Sequence, residues 1–66
     1  MITIKEVTGR ETEVTKTLHV VLDVDGAEVE EVVTRPRSAD MEDAIYEIAS
    51  KYGIDAESII INLNIV

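Results

Sequence analysis

The chain has 66 residues, a formal net charge of −8 and no cysteine, phenylalanine or tryptophan. That length allows one small domain with an aliphatic core, and it leaves no thiol for a disulfide or a zinc thiolate site. The acid excess argues against binding phosphate backbones or anionic membrane surfaces, and no apolar run approaches the roughly 20 residues needed to cross a bilayer. A hydrophobic content of 45% is ordinary for a folded domain, so the charge does not imply disorder. The opening residues alternate and carry no signal-peptide pattern, which together with the missing cysteine fits a cytoplasmic protein.

Ile2 and Ile4 alternate with Thr3 and Lys5, predicting a first strand over residues 1–7. Thr8, Gly9 and Arg10 read as the turn after it, which would set Ile4 opposite Val14 and Lys5 opposite Glu13; a turn shifted by one residue is an equal alternative. Residues 14–24 form the clearest strand. Val14, Leu18, Val20, Leu22 and Val24 share one face, and Thr15, Thr17, His19, Val21 and Asp23 the other. Asp25-Gly26 is a hairpin signal, because a type I′ turn needs positive φ at both central residues. A two-residue loop there pairs Leu22 with Val29, Val20 with Glu31 and Leu18 with Val33 in a third strand that Pro36 stops. Glu31 is then an acid on the buried face. Either a bulge at Glu30-Glu31 re-aims the strand, which is the preferred reading, or Glu31 reaches water at the sheet margin.

One helix is expected over residues 40–52, with Asp40 as N-cap, Ser38 as the alternative, and Gly53 as a left-handed C-cap. Met41, Ala44, Ile45, Ile48, Ala49 and Tyr52 form its apolar stripe. Residues 58–66 alternate again, with Ile59, Ile61, Leu63 and Ile65 on one side, and read as the final strand. The order β-β-β-α-β predicts an α+β domain: a mixed four-stranded sheet with one helix packed on one face. A right-handed crossover places the last strand parallel to the first; pairing beside the third is the alternative.

Little in the chain equips it for catalysis. His19 is the only histidine, sits at mid-strand, and has no nucleophile and orienting carboxylate arranged around it by the pattern. Asp23, Asp25, Gly26 and Glu28 resemble a calcium loop only superficially: the glycine follows the second acid directly, and the hairpin already explains Asp-Gly. No metal, cofactor or catalytic residue is therefore assigned. Arg35 and Arg37 flank Pro36 near the helix start and are read as partners of surface acids.

Two surfaces are candidate partner sites. The first is the sheet face away from the helix, read as neutral and partly apolar, with Thr15, Thr17, His19, Val21, Ile60, Asn62 and Asn64, together with Thr3, Val66 and, if the third strand has no bulge, Val32. The second is the outer helix face, where Tyr46 lies among Glu42, Asp43, Glu47 and Ser50. The leading expectation is a small acidic, non-catalytic protein-interaction module, homodimeric through the open face or the last strand, with no cofactor, no direct nucleic-acid contact and no membrane role. The alternative is an acidic inhibitor that fills a basic, nucleic-acid-binding groove. Turn, cap and alternation agree from level to level, a consistency that also suits a designed sequence.

Overall fold

The computed structural model describes residues 1–66 and contains β1 (Ile2–Glu11), β2 (Thr15–Val24), β3 (Ala27–Pro36), α1 (Met41–Tyr52), α2 (Ala56–Ile61) and β4 (Leu63–Ile65). The turn between β2 and β3 has φ of 52° at Asp25 and 90° at Gly26, the positive pair that a type I′ hairpin demands. Asp23 fixes it further, its Oδ1 accepting from the Gly26 N–H at 2.8 Å. From that turn the register runs unbroken from Val24↔Ala27 to Thr15↔Pro36, with Leu22↔Val29, Val20↔Glu31 and Leu18↔Val33 as expected.

No bulge occurs at Glu30-Glu31, so that reading is overturned. Glu31 stays on the helix side and reaches the margin, because the end of α1 supplies donors there: Tyr52 Oη at 2.5 Å and Lys51 Nζ at 2.6 Å. The irregularity lies in β1 instead, where pairing passes from Ile4↔Leu22 to Glu6↔Val21 and leaves Lys5 as the extra residue. The bulge switches the phase of the strand. Ile2 and Ile4 face the helix before it, and Val7 and Gly9 after it.

β1 is also longer than expected. Gly9 is a buried strand residue and not a turn, and its missing side chain makes room for β4: a Cβ there would lie 2.8 Å from Ile65 Cδ1 and 3.3 Å from Leu63 Cδ1. The turn sits at residues 12–14, where Thr12 Oγ1 accepts from the N–H groups of Val14 at 3.3 Å and Thr15 at 3.0 Å. Val14 therefore leaves the core and is 73% exposed, and Ile4 faces Leu22 in its place.

α1 forms with its expected caps. Asp40 accepts from the Glu42 N–H at 3.0 Å, and Gly53 closes the helix at φ 65°. The main departure follows it. Residues 58–62, expected as the first half of the last strand, belong to α2 and its cap, where Asp55 accepts from the Glu57 N–H at 3.0 Å. Asp55-Ala56-Glu57 thus repeats the capping chemistry of Asp40-Met41-Glu42. The helical turn buries Ile59 completely and rotates Ile61 outward to 75% exposure, whereas a strand would have kept both on one face.

Only Leu63–Ile65 remain as β4, and they pair parallel with β1 through Val7↔Leu63, Thr8↔Asn64 and Gly9↔Ile65. The fold is an α+β domain whose mixed sheet has the order β3-β2-β1-β4, with one main helix and a short second one on the same side. The core lies between them: Val7, Leu18, Val20 and Leu22 from the sheet, Ala44, Ile45, Ile48 and Ala49 from α1, and Ile59 from α2. No helix is long and apolar enough to cross a membrane.

The helical placement of residues 59 and 61 has a direct test. Ile59→Val should cost about 0.5–1.5 kcal/mol through the lost methylene and its cavity. Ile61→Val should stay within about 0.5 kcal/mol, as exposed positions do. Urea midpoints of the two variants read the difference, and a strand would give similar losses at both sites.

Candidate functional site

The sheet face away from the helices is built by odd-numbered residues of β2 and their cross-strand partners. Thr8, Arg10, Thr17, His19 and Val32 line a shallow depression of about 330 Å³ on it. Thr17 and Thr34 bring their hydroxyls to 3.3 Å, His19 Nε2 lies 3.8 Å from a Glu30 carboxylate oxygen, and Lys5 Nζ reaches Glu28 at 3.3 Å.

This face differs from the neutral, partly apolar one expected. The β1 bulge and the longer first strand bring Glu6 and Arg10 opposite Val21 and Thr17, and β3 adds Glu28 and Glu30 opposite Asp23 and Val21. Val21, expected as an apolar contact, is only 8% exposed under these neighbours, leaving Val32 as the exposed aliphatic side chain. Thr15, Thr17, His19 and Asn64 do share the face, although Asn64 belongs to the short β4 at its border. Ile60 and Asn62 do not: Ile60 projects from α2, and Asn62 caps α2 with its Nδ2 on the Ser58 carbonyl at 2.7 Å.

Tyr46 is 55% exposed on α1, with Glu42, Asp43, Glu47 and Ser50 exposed beside it. Glu47 is held by Arg35 at 2.5 Å, so one acid of that field is already neutralised. Arg37 donates to the Thr12 carbonyl at 3.5 Å and not to a surface acid.

Alternation could not reveal a third surface, at the margin formed by β1, α2 and β4. β4 covers β1 only at residues 7–9, so residues 2–6 have no strand on their outer side. A groove of about 370 Å³ runs beside this free edge, with Ile2, Ile4, Ile54 and Ile61 in its wall and Ser58 and Asn62 among them. Exposed Met1 lies at the same groove, whereas exposed Ile65 and Val66 sit further along the border, beside Gly9. The phase change from Ile2 and Ile4 to Val7, and the capping pattern at Asp55, were the sequence signals for this arrangement.

The remaining polar cluster ties α1 to the sheet. Hydrogen bonds from Lys51 and Tyr52, with the nearby Lys51 charge, hold the Glu31 carboxyl below the usual glutamate range despite partial burial. The same contact with Glu31 raises the Lys51 ammonium and the Tyr52 phenol above their ordinary values. No cluster of three or more histidine, aspartate or glutamate side chains is placed to hold a metal ion. His19 has no hydrogen-bonded partner, and its contact with Glu30 is its only ion pair. No protein-family model, curated protein or solved structure matches the chain.

A lowered acid contributes stability that is full above the ordinary glutamate pKa and is lost as pH falls through the lowered value. The raised Lys51 and Tyr52 contribute stability that is full below their ordinary values and lost as pH rises through the raised ones. Glu31→Gln should therefore lower the urea midpoint at neutral pH. The gap to the unaltered protein should narrow as pH falls below the ordinary glutamate range and Glu31 takes up its proton. A gap of constant size across the acid limb would show that the Glu31 charge contributes nothing.

Proposed function

We propose that the protein is a non-catalytic interaction module that binds a protein partner through the apolar margin of β1, α2 and β4. One observation carries the reading. A chain with ten buried aliphatic residues leaves Met1 and Ile61 exposed at the groove beside Ile2 and Ile4, and Ile65 and Val66 exposed further along the same sheet border, beside Gly9. Clustered exposed apolar groups mark interaction surfaces in small domains, where each buried aliphatic side chain is needed for stability. The open sheet face is the weaker candidate, because Glu6, Arg10, Glu28 and Glu30 share it and Val21 is covered. The strong net negative charge favours a basic protein as partner and disfavours nucleic acid and anionic lipid. A cytoplasmic setting belongs to the same proposal and rests on the cysteine-free composition.

The test compares partner capture by the unaltered chain and by an Ile61→Lys, Ile65→Lys double variant. Both sites are exposed, so the variant should keep its fold, with its unfolding free energy within about 0.5 kcal/mol of the unaltered chain. Loss of the specific partners from the variant, with retention by a His19→Ala and Val32→Lys control, is the expected outcome. Identical capture by both margin forms, or loss only in the control, would end the reading.

A further inference from the structure

The apolar margin contains an unfilled strand position. Along β1, the backbone groups of alternate residues point to opposite sides. The Met1 carbonyl accepts from the Asp25 N–H at 3.2 Å, on the β2 side, while the Gly9 carbonyl accepts from the Val66 N–H at 2.8 Å, on the β4 side. By this alternation and the pairing of Thr3 with Asp23, the N–H and C=O groups of Ile2 and Ile4 point outward. No strand lies opposite them, because β4 pairs only at residues 7–9 and the preceding segment is folded into α2. The side chains of Ile2 and Ile4 meanwhile open into the groove with Ile54 and Ile61.

Resting on the interaction-module reading, we infer that this edge takes an extended segment of a basic partner protein, hydrogen-bonded as an added strand to Ile2 and Ile4. Free backbone groups select an extended backbone, and strand addition satisfies them through main-chain bonds. The groove lies on one side of the added strand, so its side chains divide by alternation: every second one enters beside Ile54 and Ile61 and is apolar. The others lie over the opposite face beside Thr3 and exposed Glu6, where a basic side chain is complementary. Lys5 does not oppose this, because its ammonium is engaged by Glu28. Glu57, one turn from Ile61 on α2 and exposed, adds a further acid on the helix that borders the groove. A second copy of the chain would bring another −8 to the same place, so charge selects a basic partner over self-pairing.

The probe is an acetylated, amidated hexapeptide of alternating valine and lysine, titrated into the full chain labelled with nitrogen-15. A peptide of the same composition, with its valines and lysines in two blocks, serves as control. The alternating peptide should shift the amides of residues 2–6 and 61–62 and slow hydrogen exchange at Ile2 and Ile4 by about tenfold. The blocked peptide should do neither, and Ile61→Lys should abolish the response with the hairpin amides unchanged. Equal responses to both peptides would reduce the effect to charge attraction and overturn strand addition. So would shifts centred on His19, or a change at Ile2 and Ile4 on raising protein concentration alone, the mark of a second copy. If the peptide fails while the margin variant still loses its cellular partners, strand addition falls and the interaction-module reading stands.

Discussion

A four-stranded sheet has two faces, and this chain has enough helix to cover one. The fold follows from that constraint. Leu18, Val20 and Leu22 on alternate positions of β2 are fully buried, and α1 lies over them through Ala44, Ile45, Ile48 and Ala49. The alanines keep the helix close to the sheet, so a thin aliphatic layer excludes water without any aromatic ring. Lys16 donates from the sheet to the Ala39 carbonyl just before α1, and Glu31 takes Tyr52 and Lys51 at its far end, so both helix ends are fastened by polar contacts at the rim. Charged groups sit where the apolar layer stops, which is the arrangement that lets an acid occupy an inward-facing strand position.

The parts legible in the sequence were those set by local chemistry. Asp25-Gly26 fixed a turn type, the turn type fixed a loop length, and the loop length fixed every pair in the β2–β3 ladder. Asp40 and Gly53 likewise bounded α1. The failures came where one pattern had two physical readings. Ile59, Ile61, Leu63 and Ile65 alternate as a strand does, and β-branched residues favour that reading. The Asp55 cap and the space beside α1 and β1 outweighed it, placing Ile59 in the core as part of a helix. In β1 the alternation of Ile2 and Ile4 changes phase at the bulge, which is why Gly9 is a strand residue and Val14 lies outside the core. Of the candidate binding residues, Thr15, Thr17, His19 and Asn64 were placed on the correct face, but the face itself was misjudged. Its charge depends on which residues the bulge turns outward, and the bulge is a property of the pairing and not of any single residue.

The two edges of the sheet are treated differently. The outward backbone of β3 belongs to Glu28, Glu30, Val32 and Thr34, and the strand ends at Pro36, which has no N–H to offer. Acids and a terminal proline are common protections of a strand edge against unwanted pairing. The exposed part of the β1 edge carries isoleucines and an apolar groove in place of such protection. Acids and a proline at one edge, and isoleucines at the other, make the two borders of the sheet chemically unlike.

β4 carries a kinetic consequence. Both hairpins, β1–β2 and β2–β3, form from residues near each other in sequence, whereas β4 joins opposite ends of the chain through three residue pairs. Closing so large a loop for so few bonds comes after the local contacts have formed, and it is the first closure to be undone. A partial opening of the C-terminal segment would leave both hairpins paired and would extend the uncovered border of β1 from residues 2–6 across residues 7–9.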